Sequence, residues 1–126
     1  MRGEELQERA AARTEDFPGS ELTHPFGEDW DVWKVHGKVF MLQTGITGEP
    51  IVILKAAPAD GEALRQAHAD ITAGYHMNKK HWITAHPDGC LDAELLDYLV
   101  AESYLLVVER LSKREQPVDP QTFGQR

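Results

Sequence analysis

The sequence predicts a single α+β domain in which an antiparallel sheet packs against helices. Two short β-rich runs flank His36-Gly37, and a third apolar run follows a turn at residues 45–50. A long stretch near the C-terminus repeats apolar residues at helical spacing. The chain has 126 residues, the size of one domain that buries roughly two thirds of its unfolded surface. The predicted order is helix, three strands, helix, one or more strands, and a long C-terminal helix.

The first half is predicted to hold one helix and a three-stranded meander. The helix runs from Glu4 to about Arg13 and buries Leu6 and Ala10. Residues 17–29 are predicted as a loop, because they contain two turn signals built on Pro and Gly. The strands follow at 32–35, 38–42 and 51–54, with a tight hairpin at His36-Gly37 and a last strand apolar enough to be covered on both faces.

The second half is predicted to hold two helices and a strand. Pro58 begins a helix that passes through Ala67, and Trp82–Ala85 forms a strand that ends at Pro87-Asp88-Gly89. The last helix is the clearest, with Leu96, Val100, Tyr104, Val107 and Leu111 spaced by three and four. Residues 1–114 are therefore predicted as the domain, and residues 115–126 as a frayed, flexible tail.

Charge is unevenly distributed along the chain. The formal net charge is −8, which disfavours polyanionic partners at long range. Residues 32–59 nevertheless carry three lysines against one glutamate, and residues 71–87 carry two lysines and no acid. This pattern indicates one mildly basic face on an acidic body. The alternative is that the acids merely solvate helices while the strands lack them.

Composition and termini indicate a location and exclude some classes of site. The lone Cys90 cannot form an internal disulfide, the N-terminus is charged, and no apolar run is long enough to cross a bilayer. We therefore expect a cytoplasmic protein without a membrane role. A lone thiol of this kind is typically a small buried hydrophobe. The sequence shows no dimer interface, so it leaves the oligomeric state open.

Motifs for catalysis and metal binding are weak. No Gly-x-Ser-x-Gly or phosphate-binding loop is present, and Cys90 lacks the context of a catalytic thiol. His76, His81 and His86 are spaced by five, which matches neither a helix face nor a strand face, and no acid lies among them. The sequence therefore predicts a non-catalytic protein without a metal or cofactor.

The segment Gly74–Trp82 is the most specialised part of the chain, and its pattern resembles a known family. Together with Pro18-Gly19, Pro25-Phe26-Gly27, residues 34–40, Leu54-Lys55, Asp88-Gly89 and residues 103–108, it is similar to the small bacterial MmcQ/YjbR-like proteins from about Phe17 to Lys113. The resemblance implies a curved antiparallel sheet packed with helices, as in secretion-chaperone-like and frataxin-like domains. It also implies a predicted DNA-binding role with a double-wing motif.

Two functions follow from these observations. In the first, a non-catalytic domain binds DNA weakly and in a salt-sensitive way: lysines contact phosphates, Asn78 reads a base, aromatic rings stack, and histidines add charge in mildly acidic solution. In the second, a small molecule or peptide binds a pocket lined by residues 75–82 together with Trp33.

A plainer interpretation assigns no binding role to these residues: the aromatic side chains are core and the lysines are solvated. The candidate residues are Lys34, Lys38, Tyr75, His76, Asn78, Lys79, Lys80, His81 and Trp82.

Overall fold

The computed structural model describes residues 1–124 and is an α+β fold, as the sequence predicts. Three helices and six strands lie within the described residues. In chain order they are α1 (Gly3–Thr14), β1 (Ser20–Thr23), β2 (Trp30–Val35), β3 (Lys38–Thr44), β4 (Ile51–Lys55), α2 (Pro58–Ala67), β5 (Ile71–Ala73), β6 (Trp82–Ala85) and α3 (Ala93–Glu109).

The strands form one antiparallel sheet in the order β1-β2-β3-β4-β6-β5. The predicted meander is confirmed as β2, β3 and β4, and β6 pairs with β4 so that Lys55 lies opposite Trp82. The predicted tight turn between β2 and β3 is confirmed as well. His36 has φ 47° and Gly37 has φ 76°, the two left-handed residues of a type I′ hairpin turn.

Helices α1 and α3 cover one face of the sheet and bury its main core. The predicted core residues of α1, Leu6 and Ala10, are fully buried. Ser103 on α3 is also fully buried, where its hydroxyl donates to the Phe40 carbonyl at 2.5 Å and accepts the Lys55 N–H at 2.8 Å. The neighbouring Tyr104 hydroxyl donates to the Pro18 carbonyl at 2.6 Å, and burial raises the pKa of Tyr104 to about 12.

Two sequence predictions need correction, those for Ser20–Thr23 and for Cys90. The segment Ser20–Thr23, expected as loop, is the edge strand β1, because it pairs with β2 despite its polar composition. Residues 115–124, predicted as part of a tail, contact the domain: Glu115 bonds His36 at 2.6 Å, and the Phe123 ring contacts those of Phe17 and Tyr104. Cys90 is exposed, contrary to expectation. The rest of the predicted tail, residues 125 and 126, lies outside the described residues.

The face of the sheet opposite α1 and α3, here called the outer face, is also apolar. Its buried residues are Val32, Leu42, Ile51, Ile53 and Trp82. Within residues 1–124 no helix packs on this cluster. Tyr75 and Met77 pack against it, so the connection between β5 and β6 folds back over the sheet. We call residues 74–81 the covering segment.

Gly74 permits the covering segment to leave the sheet beside Trp82. Its N–H donates to the Trp82 carbonyl at 2.8 Å. A Cβ built at position 74 would lie 2.5 Å from the Trp82 Cβ and 3.1 Å from its backbone carbon and oxygen. A side chain of any size is therefore excluded unless the backbone moves.

We expect Gly74→Ala to lower the free energy of unfolding by about 1–3 kcal/mol, because overpacking against backbone atoms has little room to relax. Urea denaturation of the purified variant measures this change. Gly45→Ala is the matched control, since a Cβ at Gly45 meets nothing within 4 Å. Equal stability of the two variants would contradict the steric role of Gly74.

Candidate functional site

The covering segment is held by its own polar groups at both ends. The Tyr75 N–H donates to the Thr84 hydroxyl at 2.9 Å, and Lys79 Nζ donates to the Gly74 carbonyl at 3.1 Å. Asn78 Oδ1 accepts the backbone N–H groups of Lys80 at 2.9 Å and of His81 at 3.2 Å. Asn78 is the side chain predicted to read a base, but its oxygen is thus engaged inside the loop, and only its amide nitrogen remains for a ligand.

The aromatic rings of this region serve mainly to cover the outer face. Trp82 is 9% exposed, and Lys55 Nζ lies 5.9 Å from the centroid of its ring. The Tyr75 ring stacks on Trp30 with centroids 6.3 Å apart and planes 12° apart. Trp33 lies in the core on the helix side of the sheet, so it does not share a cleft with Trp82. For Trp82, the interpretation as a core residue agrees with its burial.

Five lysines meet at one end of the sheet, here called the basic end. The antiparallel pairing brings together the β2–β3 turn, the end of β4 and the start of β6. Neighbouring strands are about 4.8 Å apart, and β3 and β6 are two strands apart, so the two connections are separated by roughly 10 Å measured across the strands. The lysines at this end are Lys34, Lys38, Lys55, Lys79 and Lys80.

The predicted lysines differ in their surroundings. Lys38 and Lys80 are exposed, and no side-chain partner is recorded for either within residues 1–124. Lys34 is half-buried and lies across from Glu21 of β1 in the pairing register. Burial, and then the nearby Arg110, lower the pKa of Lys55. Lys79 is exposed as well but donates to the Gly74 carbonyl, so Lys38 and Lys80 are the exposed lysines of the predicted set whose side chains bond no other group within residues 1–124.

The opposite end of the sheet is acidic. It contains the residues before β2, the β3–β4 turn and the residues after β6, with Glu28, Asp29, Asp31, Glu49 and Asp88. His24 bonds Asp31 there at 2.9 Å. The charge segregation read from the sequence thus takes the form of a lysine-rich end and an acidic end of one sheet, with Glu115 as an acid at the lysine-rich end, where it bonds His36 at 2.6 Å.

The three histidines of the sequence prediction do not form a cluster. His76 is exposed, with φ 57° and its ring 4.1 Å from that of Tyr75, whereas the His81 carbonyl accepts the Ala56 N–H at 2.9 Å. His86 lies at the acidic end, bonded to Thr72 and Glu49. Within residues 1–124 no three His, Cys, Asp or Glu side chains are grouped to hold a metal ion. The same residues include no helix long and apolar enough to span a membrane.

Sequence reasoning missed an apolar cavity of about 290 Å³ between α2 and α3. Its lining includes Asp60, Glu102 and Tyr98, and most of the other lining residues are Ala and Leu. Burial, and then Asp60, raise the pKa of Glu102, while Glu102 is the main cause of a raised pKa at Tyr98. Nothing in the sequence marks this cavity, because its lining residues are ordinary helix formers.

We expect Asn78→Ala to loosen the covering segment locally, because the Lys80 N–H loses its acceptor, whereas the His81 N–H keeps the backbone carbonyl of residue 78 at 3.3 Å. A loss of about 1.4 kcal/mol, the scale of one hydrogen bond, would speed amide exchange of Lys80 roughly tenfold. Hydrogen exchange followed by NMR measures this rate. Asn78→Asp keeps an acceptor oxygen and should exchange like the wild type. Unchanged exchange in Asn78→Ala would show that the cap does not stabilise the segment.

Known proteins are similar to this chain in sequence. The model of the YjbR family matches residues 15–106. The chain is 40% identical to the uncharacterised protein YbdF of Escherichia coli O157:H7 over 116 residues, covering 92% of this chain and 95% of that protein. It is 35% identical to the uncharacterised protein YjbR of Escherichia coli K12, covering 79% and 84%.

Solved structures agree with this assignment. The Deinococcus radiodurans protein DR2400, which contains the DUF419 domain, matches with a TM-score of 0.77 and 39% identity, covering 82% of this chain and 80% of that one. A Pseudomonas syringae protein matches with a TM-score of 0.67 and 26% identity, covering 79% and 97%. By sequence and by fold, this chain belongs to the YjbR family.

Proposed function

We propose that the protein binds DNA through the basic end of its sheet, by contacts that involve no chemical step. The observation that carries the proposal is the meeting of two lysine-bearing connections, the β2–β3 turn and the covering segment, on one side of the molecule. Their separation of roughly 10 Å is comparable to the width of a DNA groove. The two connections would act as the two wings of the motif attributed to this family.

The proposed contacts are to phosphates and not to bases. Asn78 uses its oxygen inside the covering segment, and Trp82 is buried under Lys55. The Tyr75 ring is already stacked on Trp30. With these groups engaged, the accessible chemistry is cationic, which supplies affinity and orientation without reading sequence.

The proposed affinity is low and sensitive to salt. Four lysines, at positions 34, 38, 79 and 80, would neutralise about four phosphates. A plot of the logarithm of the binding constant against the logarithm of the salt concentration should then have a slope of about −3.6. Between about 50 and 200 mM salt the affinity would fall roughly a hundredfold. The acidic remainder of the chain, with its net charge of −8, opposes tight binding.

The cytoplasm is the location we propose for this function. The single Cys90 and the absence of a spanning helix within residues 1–124 are compatible with it. The alternative of a small-molecule or peptide pocket keeps one structural support. A cavity beside the covering segment is lined by Tyr75, although by no other residue of the segment.

The double variant Lys38→Ala, Lys80→Ala should reduce the salt slope by about 1.8, because two counterion-releasing contacts are lost. Fluorescence anisotropy of a labelled duplex at about 50, 100 and 200 mM salt measures the slope. The wild type should lose roughly a hundredfold in affinity over this range, and the variant about tenfold. Single-stranded DNA of equal length tests the preference for a duplex.

Arg2→Glu is the matched control for net charge. The substitution lowers the net charge by two units, as the double variant does, but it does so at the acidic end. Gly3, the next residue, lies against Pro50, which directly precedes β4 at that end. An acid there also suits the N-terminus of α1. Its slope should equal that of the wild type. Absence of binding at the lowest salt, or equal effects of the control and the double variant, would overturn the proposal.

A further inference from the structure

Three side chains at the edge of the outer face form a chain of hydrogen bonds. Thr72 Oγ1 lies 2.7 Å from His86 Nε2, and His86 Nδ1 lies 2.5 Å from Glu49 Oε1. The three residues come from β5, the end of β6 and the β3–β4 turn. A hydroxyl, an imidazole and a carboxylate in this order are the groups of an activated nucleophile.

The partners of His86 determine which ring nitrogen carries the proton. A carboxylate only accepts hydrogen bonds when ionised, so Nδ1 donates to Glu49. Nε2 of the neutral ring then has a free lone pair and accepts the Thr72 hydroxyl proton. In this arrangement the Thr72 oxygen is polarised toward attack, and Glu49 holds the ring in the required orientation.

A cavity adjoins the three residues. It has a volume of about 330 Å³ and is lined, besides Thr72, His86 and Glu49, by Thr47, Gly48, Ile51, Tyr75 and Thr84. Thr72 is exposed on the edge strand, so a ligand in the cavity can reach it. Tyr75 also lines the cavity, and its hydroxyl makes no hydrogen bond within residues 1–124, so it is the candidate donor to a developing oxyanion.

We propose that Thr72 is the nucleophile of an acyl-transfer site that accepts small carboxylic esters. As the Thr72 oxygen bonds to the ester carbonyl carbon, His86 Nε2 takes the hydroxyl proton. The carbon–alkoxide bond breaks, and His86 returns the proton to the leaving alcohol, which leaves an acyl-threonine. Water then repeats the sequence and releases the carboxylic acid and free Thr72. Thr72 and His86 are the catalytic residues, and Glu49 is a positioning residue.

The cavity restricts the substrate. Its volume suits a short acyl chain and a compact alcohol, with Ile51 and the Tyr75 ring as the apolar contacts. The Glu49 carboxylate and the acidic end of the sheet disfavour anionic esters. Neutral or cationic esters are therefore the expected class. The site lies at the opposite end of the sheet from the basic end, so its test is independent of DNA binding.

The full chain should release p-nitrophenolate from p-nitrophenyl acetate and carry an acetyl group on Thr72, found by peptide mapping after rapid quenching. Thr72→Val, nearly the same in shape, should lose the adduct and at least tenfold in rate, and Thr72→Ser should keep both. His86→Gln should lose roughly a hundredfold in rate. Glu49→Gln should lower kcat and leave KM unchanged, which a merely structural contact would not do.

Thr23→Val is the matched control, because Thr23 is also an edge-strand threonine whose hydroxyl bonds, at 2.8 Å, only the Val32 carbonyl. It should retain the full rate. Thermal unfolding identifies variants that fail to fold, and Thr72→Ser then serves as the folded test of the nucleophile. An adduct on another residue, an undiminished rate in folded Thr72→Val, or no adduct in the wild type would overturn the proposal.

Discussion

The outer face of the sheet is apolar, and within residues 1–124 no helix covers it. The covering segment performs this task with Tyr75 and Met77, and it can do so because Gly74 passes the Trp82 backbone without a side chain. The position of the segment follows from this packing, and with it the positions of Lys79 and Lys80 and one wall of the cavity beside Thr72. A loop that covers a hydrophobic face is held far more firmly than a solvated loop of equal length.

On the helix-covered face of the sheet, α3 holds the strand ends that lie near these lysines. Ser103 bonds backbone groups of two adjacent strands, the Phe40 carbonyl and the Lys55 N–H, with no exposure to solvent. Loss of this hydroxyl would leave two buried backbone groups without partners, each a cost of about 1–3 kcal/mol. The strand ends that present the lysines are thus held between a buried hydroxyl on one face and a packed loop on the other.

Much of the fold could be predicted from the sequence because its signals are local. Three signals each indicate a structure within a short stretch of sequence: the left-handed pair His36-Gly37, the apolar run of β4 and the helical repeat of α3. Strand β1 lacks such a signal, since its four residues are mostly polar and its partner alone makes it a strand. The sequence indicated a basic face, but its place at one end of the sheet follows only once the pairing register is known.

The candidate sites were less predictable for a related reason. The acid-free composition of residues 71–87 pointed to a special segment, but its aromatic rings proved to be engaged with the sheet and with each other. The Thr72, His86 and Glu49 contacts join residues 14 and 37 positions apart, a separation that no spacing rule connects. Threonine, histidine and glutamate are also too common for their presence alone to indicate chemistry.

Both edges of the sheet are short, with four residues in β1 and three in β5. Edge strands this brief offer few free backbone groups, so an extended polypeptide gains little by pairing alongside them, and copies of the chain are poor templates for one another. Growth of the sheet from either side is thereby suppressed. A partner that binds the sheet must approach the ends or the outer face of the strands, where side chains and not backbone ladders decide what is recognised.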